Sequence, residues 1–210
     1  MILKTALKLI REDGLEKLTM RRLADALGVA TMATYRHFKN RDELVLGIVD
    51  EVCRIRTVHR PPADATWQEQ LRSQANHAFE TFVQYRGLPA YIIKYGPHTK
   101  YGLQVIDSWL GILLKAGFRA DESVYIFQSI CMMLASAVEF STESDESIWT
   151  YINFDKIDPI DLEELPAAKE SIRYFEHSRR SIIEWHLDML IRSLEHQLDQ
   201  HRSAKKAAKP

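Results

Sequence analysis

"LTMRRLADALGVATMATYRHFKNRDELV", residues Leu18 to Val45, decides the fold. Two short helical patterns flank Gly28-Val29. Thr19 suits the cap of a helix over about 20–27, because its hydroxyl can accept one of the free N–H groups of the first turn. Gly28 suits the stop, since glycine enters the left-handed conformation without steric cost. A helix over about 31–37 follows, short and decorated with a methionine, a tyrosine and a histidine that do not form a core stripe. Lys39-Asn40-Arg41 then gives way to Asp42-Glu43. Asn40 is expected to cap a fourth helix reaching about Val58, with its carboxylates where the helix dipole favours them. A first helix, about 1–12, precedes all of this and stops at Gly14.

Two helices across a turn this tight have the dimensions of a helix-turn-helix. Leu7, Ile10, Leu15, Leu23, Ala24, Leu27, Val29 and Phe38 fall at helical spacing and are expected to form one small core. That leaves Thr31, Met32, Ala33, Tyr35 and His37 as an outward face. A helix in the major groove reads base edges with its N-terminal residues. Thr31 can donate or accept, and Met32 and Ala33 offer apolar contact to a thymine methyl. Tyr35 and His37 can hydrogen-bond phosphates, which positions the helix without reading sequence. Lys39 and Arg41 beside the start of the fourth helix are expected to clamp phosphate. From the second helix, Arg21 can reach the groove and Thr19 its rim.

This stretch resembles the DNA-binding domain of the TetR family of bacterial transcriptional repressors, over about residues 2–48. The resemblance rests on Thr19, Leu23-Ala24, Gly28-Val29, Tyr35-Arg36-His37-Phe38, Lys39-Asn40-Arg41 and Glu43-Leu44. Two positions depart from the family pattern. Ala30 stands where a serine is usual, so Thr31 is expected to cap the third helix instead. Thr34 stands where a core leucine is usual, which either weakens packing or adds a phosphate contact.

Further on, "TWQEQ" has Thr66 and Glu69 at capping-box spacing and opens a helix reaching about Arg86. A brief helix near 89–95 ends at Gly96-Pro97, another spans about 98–116 to Gly117, and Asp121 is expected to cap one over about 122–141. Residues 142–165 read as a long acidic loop, and a final helix is expected over about 166–200. "VIDSWLGILLKAGFRADESVYIFQSICMMLASAVEF", residues Val105 to Phe140, resembles the family's seventh and eighth helices. The expected fold is therefore all-α, with about nine helices. The expected domains are a helix-turn-helix domain over 1–46, a ligand-binding and dimerisation domain over 47–201 and a disordered basic tail over 202–210.

The resemblance implies a homodimer in which the last two long helices pack on their copies as a four-helix bundle. The sequence supports this on its own: Ile183, Leu187, Leu190, Ile191, Leu194 and Leu198 form an apolar stripe. A two-fold axis would let two recognition helices engage the halves of a pseudo-palindromic double-stranded operator. The resemblance also implies a small-molecule effector, here apolar or aromatic. His77, Tyr85, Tyr91, Tyr95, His98, Trp109, Gln128, Met132, Met133 and Glu139 bring polar groups among aromatics into the fifth to eighth helices and are the candidate ligand contacts. An aromatic at helical spacing also fits plain core, so each has that alternative.

Charge distribution agrees with an anion-facing first quarter. Residues 1–60 hold 12 Lys and Arg against 8 Asp and Glu, whereas residues 61–201 hold 12 against 21. No apolar run is long enough for a membrane span, and the lysines of "MILKTALKLIREDG" argue against a signal peptide. Cys53 and Cys131 lie in apolar helical patterns without metal-type spacing, so free buried thiols in a reducing cytoplasm are expected. No Glu-x-x-His pair, Gly-rich phosphate loop or nucleophile elbow occurs, and His196 and His201 are poorly spaced for one helical face. Neither an enzyme, a cofactor nor a metal is expected. A DNA-binding repressor released by a ligand is the leading reading. An activator, a regulator working through protein partners, and an all-α enzyme are the alternatives.

Overall fold

The computed structural model describes residues 1–62, 64–96, 99–139, 164–171 and 179–207. These residues hold ten helical segments and no strand: α1 Ile2–Asp13, α2 Met20–Leu27, α3 Thr31–Tyr35, α4 Arg41–Arg56, α5 Trp67–Val83, α6 Leu88–Tyr95, α7 Lys100–Ala116, α8 Ala120–Glu139, α9 Pro166–Ser171 and α10 Arg179–Ala207. The chain divides into two compact units, Met1–Glu139 and Phe140–Pro210.

The boundaries follow local chemistry. The Thr19 hydroxyl accepts from the Arg22 amide at 3.1 Å and starts α2. Gly28 ends it in the left-handed region, at φ 69°. Asn40 Oδ1 accepts from the Glu43 amide at 2.8 Å and starts α4. Thr66 and Glu69 form the expected reciprocal capping box at α5. Some ends move. α5 stops at Val83, short of Arg86, and α7 begins at Lys100 behind a Thr99 cap. Asp121 does not cap α8; it lies in the first turn and pairs with Arg119 at 2.6 Å, while Glu122 accepts from the Arg119 amide.

In the first unit α4 is the connecting element. Leu44, Val45, Ile48, Val49, Val52 and Cys53 are buried, at steps of one and three that cover two adjacent faces. The helix packs against α1, α7 and α5. Each buried aliphatic side chain contributes roughly 1.5–3 kcal/mol of transfer free energy. Gly47 lets Phe38 lie against α4, because an added Cβ would come within 3.0 Å of the Phe38 ring. α5, α7 and α8 pack on one another around the fully buried Trp109, and α6 packs on α8.

A second connection ties α1 to the α5–α6 turn. The Leu15 amide donates to the Arg86 carbonyl at 2.9 Å, and Arg11 Nη2 donates to the Tyr85 hydroxyl at 2.6 Å while its guanidinium lies 5.0 Å over the ring. Gly87, at φ 82°, sits so close that a Cβ there would meet Leu15 Cβ at 3.1 Å.

In the second unit, Ile183, Leu187, Ile191, Leu194 and Leu198 are buried and Leu190 half-buried, as the stripe predicts. α10 continues to Ala207, into the tail read as disordered; alanine and lysine are strong helix formers. The acidic loop read over 142–165 lies almost wholly outside the described residues.

Candidate nucleic-acid interface and ligand cavity

α3 is held from behind and bare in front. Ala30, with extended backbone and no side-chain bond, takes the cap position, and Thr31 is the first helical residue. The expected shift of the cap to Thr31 does not occur. Thr34 is 1% exposed, and its hydroxyl donates to the Thr31 carbonyl at 2.7 Å. It is therefore a packing residue whose polar atom is satisfied inside the helix, and the phosphate alternative falls away. Leu7, Ile10, Leu15, Leu23 and Ala24 are buried as expected, and Leu27 and Phe38 half-buried. Val29 is 43% exposed and is not part of that core: the turn carries it outward beside Ala30.

The expected DNA-facing residues lie on this bare surface. Met32 is 74% and Tyr35 42% exposed; His37, Lys39, Arg21 and Thr19 are exposed, and Thr31 and Ala33 half-exposed. Arg41 is placed differently from the expectation. Its Nε donates to the Leu18 carbonyl at 2.9 Å and its Nη2 to the Leu15 carbonyl at 2.8 Å. Those carbonyls belong to the α1–α2 turn, where the Leu15 carbonyl also takes the Leu18 amide at 3.1 Å, so Arg41 bolts α4 to that turn and is not a free phosphate clamp. The amides at the start of α4 are partly used as well. Glu43 accepts from the Lys39 amide and donates its own to Asn40. Asp13 and Arg22 form an ion pair across the same turn.

The first unit also contains a cavity of about 410 Å³ among α4 to α8. Cys53 and Arg56 line it from α4, Phe82 from α5, Ile92 and Ile93 from α6, and Gly96 from the end of that helix. Gly102, Val105 and Ile106 contribute from α7, and Phe127, Gln128, Cys131 and Met132 from α8. Of the expected ligand contacts, Gln128 and Met132 line this cavity. Trp109 stands one layer behind, 1% exposed and 5.9 Å from the Phe127 ring. Tyr85 is spent on the Arg11 clasp. Tyr91 and Tyr95 pair with each other, ring centroids 4.5 Å apart, and do not line it. Nor does His77, which stacks on His59 at 4.3 Å. Met133 is half-buried and also outside the lining. His98 and the Glu139 side chain lie outside the described residues.

Arg56 was not anticipated, since a terminal arginine in "RIR" reads as solvated. The signal was there: Arg54 pairs outward with Glu51 at 2.7 Å, whereas Arg56 follows buried Val52 and Cys53 by four and three residues, on their face. Burial pushes the Cys53 and Cys131 thiols up to about 11. His77 is held below its ordinary value, first by desolvation, then by the electrostatic effect of its neighbours His59 and Arg56. Among the described residues no cluster of His, Cys, Asp or Glu could hold a metal, and no helix is long and apolar enough to cross a membrane.

A short exposed helix, braced by a capped partner across a left-handed glycine, with an apolar cavity in the same unit, defines a helix-turn-helix protein with a helical body. Comparisons agree. Residues 2–48 match the description "bacterial regulatory proteins, tetR family", and residues 60–151 match "tetracyclin repressor-like, C-terminal domain". The chain belongs to the TetR family. The class C tetracycline repressor of Escherichia coli is 31% identical over 138 residues, 65% of this chain and 63% of that protein. The repressor DrrR1 of Streptomyces coeruleorubidus is 33% identical over 88 residues, 42% of this chain and 32% of that one. The chain thus spans about 63% of the length of the tetracycline repressors it matches. Among solved structures, ActR of Streptomyces coelicolor, in complex with actinorhodin, superposes with a TM-score of 0.75 at 21% identity, covering 94% of this chain and 96% of that one. TetR of Acinetobacter baumannii AYE gives 0.64 at 19%, covering 93% and 95%. At these identities the structures establish the fold.

Proposed function

We propose that this protein is a DNA-binding transcriptional regulator, a homodimeric repressor that a small molecule in the α4–α8 cavity releases from a pseudo-palindromic operator. The observation that carries the reading is α4 itself. Its first residue is bolted to the helix-turn-helix through Arg41, and its last turns line the cavity through Cys53 and Arg56. Twelve residues of helix separate those ends, roughly 18 Å at the usual rise, so a small tilt at the cavity becomes a displacement at α3. The α5–α6 turn is a second link, clasped to α1 by Arg11 and Tyr85 just ahead of the α6 residues that line the cavity. Ligand acts through its differential affinity for the DNA-competent and released conformers.

Met32, Ala33 and Thr31 are assigned to base edges and Arg21 to the groove; Tyr35, His37, Lys39 and Thr19 are assigned to the sugar-phosphate backbone. Homodimerisation through α8 and α10 is supported by the large apolar side chains that both helices leave exposed, Tyr125 on α8 and Trp185 and Met189 on α10. Two copies of α3 would then address half-sites about 34 Å apart or a multiple of that. The regulator is assigned to the cytoplasm with its DNA.

The test is selection of bound fragments from genomic DNA, followed by titration of the best one. Wild type should bind a two-fold-related site as a dimer, with affinity falling steeply as salt rises. Replacing Met32 and Tyr35 together by alanine should weaken binding by about a hundredfold with an unchanged far-UV spectrum. Undiminished binding by that double variant overturns the assignment of α3.

A further inference from the structure

The described lining of the cavity is apolar, yet it contains a charge with no counter-charge among the described residues. Arg56 is the one ionised side chain among its described lining residues at neutral pH. The guanidinium lies 5.4 Å over the Phe82 ring, and its Nε is sealed from solvent without an acceptor. Among the described residues the Arg56 side chain makes no hydrogen bond or ion pair, and the thiols of Cys53 and Cys131 lie near its charge. Those thiols stay neutral at pH 7, so they supply no negative charge. A guanidinium does not surrender its proton, and a buried, unpaired cation is costly. A second sealed nitrogen, His77 Nε2, is also without a partner and close enough to feel the Arg56 charge. Its stacked neighbour His59 is engaged with Ser73 at 3.0 Å.

We propose that the cavity takes an organic anion: an aromatic or alicyclic body of two or three rings carrying one carboxylate, enolate or sulfonate that pairs with Arg56. The inference rests on the reading of this cavity as the effector site and narrows its ligand class. The apolar walls accept the rings. The anion removes the cost of the unpaired guanidinium, so the gain on binding goes to a charged ligand and not to its neutral counterpart. The Gln128 amide is a further polar group of the described lining and can orient the ligand body.

The experiment uses the full chain and two fluorescent probes that share one aromatic body. 8-Anilinonaphthalene-1-sulfonate carries the anion; N-phenyl-1-naphthylamine lacks it. Wild type should bind the sulfonate about tenfold or more tightly than the neutral probe. Arg56→Met should abolish that preference by weakening the sulfonate alone, and Arg56→Lys should restore part of it. Arg56→Met removes an unpaired buried charge, so its unfolding midpoint should equal or exceed that of wild type, which separates lost binding from lost folding. Equal affinity for the two probes in wild type, or a preference that survives in Arg56→Met, overturns the proposal. Operator release is assayed separately. A sulfonate that binds through Arg56 while no ligand of the cavity releases DNA defeats the effector reading and leaves the anion site standing.

Discussion

The helix-turn-helix and the cavity are built from opposite kinds of information. In the first, apart from the Arg41 bolt, the contacts that set the helices span a few residues: Thr19 to Arg22, Asn40 to Glu43, Thr34 to Thr31. In the second, the walls come from five helices, and side chains from Cys53 to Met132 must converge before anything is enclosed. Local chemistry makes the first rigid and exposes one face. Convergence makes the second depend on packing, because a shift of any helix changes its shape.

The contrast can be tested by where damage travels. The largest effect is expected at Trp109, fully buried behind the cavity wall. Trp109→Ala should cost about 3–5 kcal/mol in a urea unfolding titration, and should also weaken binding of either aromatic probe. A loss under about 1 kcal/mol would mean that the wall collapses without cost, and the cavity is not held by packing.

Next comes a paired measurement on the DNA-facing unit. Arg41→Ala leaves two carbonyls of the α1–α2 turn without their charged donor and should cost about 2 kcal/mol of stability. Tyr35→Ala, on the bare face, should stay within about 0.5 kcal/mol of wild type while reducing operator affinity. If Arg41→Ala leaves stability untouched and removes DNA binding, Arg41 faces phosphate after all and the bolt is wrong.

The smallest effect is a pH dependence. His77 is held below its usual 6.5 by desolvation and nearby positive charge, so the unfolded chain takes up its proton first. Stability from this residue is intact above that value and is lost as pH falls through the window between 6.5 and the depressed value. His77→Gln should flatten the fall in unfolding midpoint between neutral pH and mildly acidic buffer. An unaltered slope would assign that fall to other histidines.

How much was legible follows the same division. The caps of α2, α4 and α5, the stop at Gly28 and the apolar stripe of α10 could be read because each depends on spacing along the chain. So could the exposure of Met32 and Tyr35, once a turn and a core face were recognised. The cap of α3 was misjudged: Ala30 offers no side-chain acceptor, yet backbone geometry alone puts it at the cap. Of the cavity, Gln128 and Met132 were legible as polar or pliant positions on an otherwise apolar helix. The tyrosines misled, because an aromatic residue carries no mark of its direction; Tyr85 faces Arg11, and Tyr91 faces Tyr95. Arg56 was hidden by its neighbour, since Arg54 beside it is an ordinary surface cation.

The clasp between α1 and the α5–α6 turn bears on how such proteins can be recombined. A cut in α4 would be the simplest way to exchange DNA-reading heads between relatives. Here the head also grips the body through Arg11 with Tyr85, the Leu15 amide with the Arg86 carbonyl, and the space that Gly87 leaves for Leu15. A hybrid joined at α4 alone inherits one half of that lock and a foreign key. Grafts that carry residues 11–15 and 84–88 as a matched set should keep their response to ligand, whereas those that split the set should fold as two good parts that no longer speak to each other.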